Sequence, residues 1–190
     1  MKFKNNSIIL FLIVFFGACA TQENYLIKNI NFDGYKSLNI DSSSLIIDQK
    51  YNINITHPFI DHLVKQNLIL LLSSWAEARL QPLEVNNPGA LKVIIHTASI
   101  KALPISQNAK IKDLFVSNAA VNIEMNLDIT IELLNENGNQ ISYVDVKIFK
   151  SKELTDNISL LEKDYIIQEM SKTLIKDFDS LAINKLKEIF

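Results

Sequence analysis

The chain has 190 residues, with 19 Lys and Arg against 21 Asp and Glu and a formal net charge of −2. No basic excess is available to neutralise phosphates, which sets nucleic acid aside as a partner. Four glycines, four prolines and 48% hydrophobic residues describe a chain that buries a core, and a single cysteine makes an intramolecular disulfide impossible.

The first nineteen residues have a distinct organisation. Lys2 and Lys4 supply positive charge, Ile8 to Phe16 is an unbroken apolar run, and Gly17-Ala18-Cys19 closes it with small residues and a thiol. A charged start, a short apolar core and a small-residue exit are the parts of an export signal. The run is shorter than the roughly 20 residues a helix needs to cross a bilayer. Phe16-Gly17-Ala18-Cys19 resembles the lipobox of bacterial lipoproteins, matching at Gly17, Ala18 and Cys19 and departing at Phe16, where Leu is usual. The competing reading is an ordinary signal whose cysteine is accidental. The resemblance implies cleavage before Cys19, a lipid on its thiol and an acylated amino terminus. It thus implies a signal peptide over 1–18 and a tether over 19–24; the remaining length, 25–190, is that of a single domain, whose elements read as α+β. Ala20 and Thr21 are not the aspartate that keeps such lipoproteins at the inner membrane. The implied place is therefore the outer membrane, facing the periplasm, with the membrane as a partner through the anchor.

In the mature part, Tyr25 to Phe32 has strand character and Asp33-Gly34 reads as a turn. Asp41 to Ser44 is a polar break. Leu45 to Ile47 and the alternating Tyr51 to Ile55 follow, the latter read as a strand. Thr56-His57-Pro58 is the pattern of a helix start, and Ile60, Val64, Leu68, Leu71, Trp75 and Ala78 continue at helical spacing to about Leu80, where Gln81-Pro82 stops it. Asn86 to Gly89 is a turn. Leu91 to Ile100 is so nearly continuous in apolar residues that it reads as a central strand buried on both faces. Lys101 to Asn118 reads as a long exposed loop. Val121 to Leu133 alternates with a period of two, Asn137-Gly138 marks a hairpin, and Gln140 to Lys150 is the return strand. Ser151 to Asn157 is a polar connector. A last amphipathic helix runs from Ile158, with Leu160, Ile167, Met170, Leu174, Phe178, Leu181 and Ile189 in one stripe and a candidate break near Asp179. The expected order is β-β-α-β-β-β-α, a mainly antiparallel sheet with two helices on one face.

Candidate chemistry is sparse. His57, Asp61 and His62 form the one histidine cluster, but a spacing of five does not put two histidines on one helix face, so capping or surface roles are favoured and no metal is expected. His96 reads as a core histidine. Trp75 reads as a core anchor before a ligand-stacking residue. Arg79 reads as the partner of a sheet carboxylate, with an anionic lipid head group as the alternative. There is no nucleophile elbow and no glycine-rich phosphate loop. The expectation is a non-enzymatic protein without cofactors, with a periplasmic hydrolase as the remote alternative. Exposed Leu114, Phe115 and Val116 are the candidate apolar contact, with Trp75 and Arg79 as further binding candidates.

A lipobox before a small α+β body is similar to the lipopolysaccharide-assembly lipoproteins and to the auxiliary lipoproteins of lipid-handling transport systems. Beyond Cys19 the likeness is one of architecture only. It implies a binding or auxiliary module in lipid or outer-membrane transport or assembly, with an envelope protein or lipid as partner. A structural or regulatory lipoprotein of peptidoglycan assembly is the alternative.

Overall fold

A computed structural model describes residues 28–105, 120–156 and 158–189. The elements are β1 (Leu38–Ile40), β2 (Ser44–Gln49), α1 (Leu68–Arg79), β3 (Leu80–Pro82), β4 (Ala90–Pro104), β5 (Val121–Leu134), β6 (Gln140–Leu154) and α2 (Leu160–Ile189). The strands β2-β4-β5-β6 form one sheet in that order, antiparallel except for the parallel pair β2/β4, while β1 and β3 form a separate parallel pair. The fold is α+β; among the described residues β1, β2 and β3 stand in place of the two strands expected at Tyr25 to Phe32 and Tyr51 to Ile55.

The regularity of β5 produces the core. Val121, Ile123, Met125, Leu127, Ile129 and Ile131 are all buried, and the residues between them face outward. Each large side chain buried this way contributes roughly 1.5–3 kcal/mol. Val144 and Val146 of β6 continue the apolar face, and Asp145 and Lys147 point away, as the alternation requires. The hairpin closes as its sequence indicates: Gly138 has φ of 77°, and Asn135 Oδ1 accepts from the backbone of Asn137 at 3.0 Å and Asn139 at 2.9 Å.

The strand β4 is internal, but its continuous apolar appearance has another cause than burial on both faces. A bulge at His96 shifts the alternation by one residue. Leu91, Val93 and Ile95 face the core before it, and Ala98, Ile100 and Ala102 after it. On the other face only Ile94 and Ser99 are buried, and His96 itself is exposed, so it is not a core histidine. The carbonyl of Ile95 accepts from both Lys50 and Tyr51 at 3.0 Å, which ends the pairing of β2 at the bulge.

Several expected boundaries shift. Lys101 to Pro104 belongs to β4 and is not loop; Pro104 pairs opposite Val121 at the strand end, where a missing N–H is tolerated. Ser151 to Leu154 likewise extends β6. Residues 28–32 and Tyr51 to Ile55 form no strand. At Ile30, the Gln66 side-chain amide takes the place of a neighbouring strand, accepting from its N–H at 2.7 Å and donating to its carbonyl at 3.1 Å.

The first helix starts ten residues later than its apolar stripe indicates. Residues 58–61 give their backbone to the edge of β4: Ile60 N–H donates to Ile100 and Ala102 N–H to Pro58, both at 2.9 Å. The cap is Asn67, whose Oδ1 accepts from Leu70 N–H at 3.0 Å. From there α1 is buried on more than one side, with Leu68, Ile69, Leu71, Leu72, Trp75 and Ala76 all enclosed.

The second helix is unbroken through Asp179. Ile167, Met170, Leu174 and Phe178 are buried as expected, but Leu160, Leu181 and Ile189 are exposed. A seven-residue spacing drifts by about 20° per repeat on a straight helix. Ala182, Ile183 and Leu186 therefore take over the inner face.

Asp61 fastens the irregular stretch to β4. Its carboxylate accepts from Ile100 N–H at 2.6 Å and from the Tyr51 hydroxyl at 2.9 Å, and it is 1% exposed. Burial pushes its carboxyl above the ordinary range despite those donors. Between the ordinary value and the raised one, the folded state holds more protons than the unfolded state. Stability contributed at this site therefore falls as pH rises through that window. Asp61→Asn keeps an acceptor for Ile100 and can donate to the Tyr51 oxygen. Urea unfolding at a series of pH values is expected to show the variant gaining on the parent as pH rises from about 4 and then levelling off; a gain on acidification would contradict this account.

Candidate functional site

Trp75 and Arg79 lie one turn apart on α1 and so share a face. Both meet Asp179 of α2. The Trp75 indole N–H donates to Oδ1 at 2.8 Å, Arg79 Nε donates to the same oxygen at 2.6 Å, and Arg79 Nη2 donates to Oδ2 at 3.3 Å. Phe178 packs edge-on to Trp75 with ring centroids 4.6 Å apart, and the guanidinium of Arg79 lies over the Tyr35 ring at 5.6 Å. Trp75 has no exposed surface and Arg79 is 8% exposed. The core reading of Trp75 is therefore the one seen, and the partner of Arg79 is a helix carboxylate instead of a sheet one. The pair ties the two helices together and offers little surface to a ligand.

The other candidates do not converge. Cys19 and the Leu114, Phe115, Val116 run lie outside the described residues. His57 and His62 are exposed, and no group of three His, Cys, Asp or Glu is placed to hold a metal among the described residues. His96 Nε2 is 3.0 Å from Thr130 Oγ1, which donates to Asp145 at 2.6 Å. This is a polar chain across three strands on the outer face of the sheet. With the threonine proton directed to the carboxylate, it lacks the nucleophile–base order of a hydrolytic triad.

The feature best suited to bind something is a cleft of about 200 Å³ between the Leu63–Gln66 turn and the first half of α2. Ile30, Val64 and Ile167 form its apolar wall, Leu63 stands at the mouth, and Lys65, Asp164 and Gln168 form the polar rim. Leu63 is 53% exposed. Two bonded contacts fix the segment around Ile30 to both sides of the cleft: Gln66 grips Ile30, and Gln168 donates to the Lys28 carbonyl. Ser171 at the cleft donates to the Ile167 carbonyl at 3.0 Å, so its hydroxyl is satisfied within the helix. Desolvation pushes the Asp164 carboxyl upward, as expected beside an apolar wall. On the far side of the 28–32 segment a second groove shares Ile30 and Gln168 and carries Lys28, Lys172 and Lys176. A cleft of this kind takes an alkyl or aryl group, with polar contacts only at its rim.

None of this was marked in the sequence. Ile30, Val64 and Ile167 are far apart along the chain and each reads as an ordinary core position. One further residue escaped notice: Lys163 is buried, and its ammonium has no hydrogen-bond partner among the described residues. A buried charge left in that state costs stability.

No family model matches the chain. No curated protein matches it in sequence at a significant level. Among solved structures, a minor lipoprotein from Acinetobacter baumannii is similar over 75% of this chain and 92% of its own, at 10% identity and a TM-score of 0.43. A neuraminyllactose-binding hemagglutinin homolog from Helicobacter pylori is similar over 81% of this chain and 90% of its own, at 11% identity and a TM-score of 0.37. At these scores neither likeness carries an argument about function.

The tie at Asp179 has a measurable consequence. Asp179→Ala leaves a buried guanidinium and an indole N–H without their acceptor, and is expected to cost about 3 kcal/mol or more in chemical unfolding. Asp179→Asn, which keeps one acceptor oxygen, is expected to cost clearly less. Equal costs for the two variants would mean that the carboxylate contributes only packing.

Proposed function

We propose that the chain is a membrane-tethered, non-enzymatic envelope lipoprotein that acts as a binding or auxiliary module in lipid or outer-membrane transport or assembly. The observation that carries this reading is the apolar cleft between Ile30, Val64 and Ile167. A lipidated Cys19 would precede Ile30 by eleven residues. At no more than roughly 3.3–3.6 Å per residue, that length sets an upper bound on how far Ile30 stands from an anchored leaflet.

The cleft suits one chemistry better than others. Its walls are aliphatic and its volume of about 200 Å³ takes the end of an acyl chain, with the polar rim facing groups that remain in water. Lys28, Lys172 and Lys176 in the adjoining groove bias that head group towards negative charge, with Glu169 as the one opposing carboxylate there. The leaflet anchor itself would rest on two or more acyl chains, since each buried methylene contributes about 0.8 kcal/mol and one chain holds only marginally.

The anchor and the cleft are tested separately. Cys19→Ser is expected to abolish metabolic labelling with a radioactive fatty acid and to leave uncut precursor; undiminished labelling would remove the anchor. For the cleft, Val64→Glu places a charge on a half-buried wall. It is expected to weaken binding of a fluorescent long-chain fatty acid by at least tenfold in titration, while thermal unfolding still shows one cooperative transition. Undiminished binding in that folded variant would remove the cleft from the account.

A further inference from the structure

The outer edge of β6 is open: among the described residues no strand pairs with it on the side away from β5. Natural sheets blunt such edges, and one blunting device is present. Lys185 Nζ donates to the Asp145 carbonyl at 2.7 Å. That carbonyl therefore points away from β5. In an antiparallel pair the backbone groups alternate in direction, so the other odd-numbered residues of β6 point the same way. The pairing of β5 with β6 has no register shift from Val144 to Leu154, so the alternation holds to the strand end. Beyond the Lys185 cap, Lys147, Phe149, Ser151 and Glu153 present outward N–H and C=O groups, and all four side chains are exposed on the outer face. A groove runs beside this stretch between Lys150–Lys152 and the α2 residues Ile166, Glu169 and Met170.

We propose that Lys147 to Glu153 pairs antiparallel with the same stretch of a second copy, about a two-fold axis at Lys150, so that two sheets join into one. The occupant follows from charge and register. About that axis Lys147 lies opposite the partner's Glu153, and Glu153 opposite the partner's Lys147. Phe149 lies opposite the partner's Ser151 and diagonal to the partner's Phe149, within aromatic reach on one face. Phe149 is 59% exposed in the single chain, a large apolar surface for an edge strand. Each opposed pair of odd-numbered residues exchanges two backbone hydrogen bonds, the arrangement their outward groups allow.

Neighbouring registers fail. Moving the axis one residue towards the amino terminus sets Asp145 opposite the partner's Glu153 and displaces the Lys185 cap. Moving it one residue the other way leaves Lys147 beyond the end of the partner's strand. On the inner face the chosen axis brings Lys150 near the partner's Lys150, but each is held by its own Asp177 at 2.7 Å, and Glu169 lines the same groove. Lys147 is held by Asp128 at 2.8 Å, which keeps its ammonium on the outer face where the opposite carboxylate arrives. The interface shares no lining residue with the apolar cleft, and shares Glu169 with the adjoining lysine-bearing groove.

The test is sedimentation of the full chain in a mild detergent, with far-ultraviolet circular dichroism confirming that each variant is folded. The parent is expected to sediment as a dimer. Glu153→Lys faces each Lys147 with a lysine and is expected to weaken association by at least tenfold. Lys147→Glu combined with Glu153→Lys restores opposite charges and is expected to restore the dimer. A monomeric parent, a dimer indifferent to Glu153→Lys, or a double variant that stays monomeric would each overturn the proposal; the first would leave the edge to an extended segment of another protein.

Discussion

A single carboxylate, Asp179, receives both the Trp75 indole and the Arg79 guanidinium, and so sets where α2 lies relative to α1. The rest of the architecture depends on that placement. With Trp75 edge-on to Phe178, the two helices share a seam above the inward face of β5, and their apolar side chains close one core. The seam also sets the direction in which the first half of α2 extends past α1, towards the Leu63–Gln66 turn. The cleft is the space left where the helix and the turn approach without filling the gap. A buried ion pair contributes less to net stability than its short distances suggest, because both charges lose water. Its larger consequence here is positional: one oxygen shared by two donors permits little sliding of either helix.

Elements whose pattern is local were legible in the sequence. The period-two alternation of Val121 to Leu133, the Asn137-Gly138 turn and the inner face of β6 need only their own residues to specify them. The stripe of α2 was legible in its middle and not at its ends, because an ideal seven-residue step drifts around the helix. Where backbone groups are satisfied by distant partners, the pattern misled. Ile60 and Val64 extend the apolar spacing of α1, yet residues 58–61 are drawn to the edge of β4 by Asp61 and by backbone bonds to Ile100 and Ala102. Tyr25 to Phe32 has strand character, and its described part is held by a side-chain amide instead of a strand. The bulge at His96 turned a one-sided strand into an apparently two-sided one by shifting its parity.

The candidate site was less legible than the fold. A charge at Asp179 in the middle of an apolar stripe looked like a break, since its partners lie about a hundred positions earlier on another helix. Trp75 and Arg79 stood out by residue type, and the structure uses both internally. The cleft was invisible because its wall is built of residues that any core would use, and what distinguishes them is a gap between elements, which no spacing encodes.

The two faces of the sheet divide the molecule's chemistry. The inner face carries the core and, at one end of α2, the cleft. Among the described residues no helix covers the outer face, which is stitched by polar pairs, Asp48 with Lys50 and Lys92, and Asp128 with Lys147. Such exposed pairs contribute little each, but they keep a broad sheet surface hydrated. The claim that the cleft receives an acyl chain is tested most directly by photo-crosslinking. A fatty acid with a diazirine near its methyl end would be bound to the full chain, irradiated, and its adducts mapped by mass spectrometry. Adducts are expected on Leu63 to Gln66 and on Asp164 to Ser171, competed away by unlabelled fatty acid. Competable adducts confined to other segments, or none above background, would contradict it.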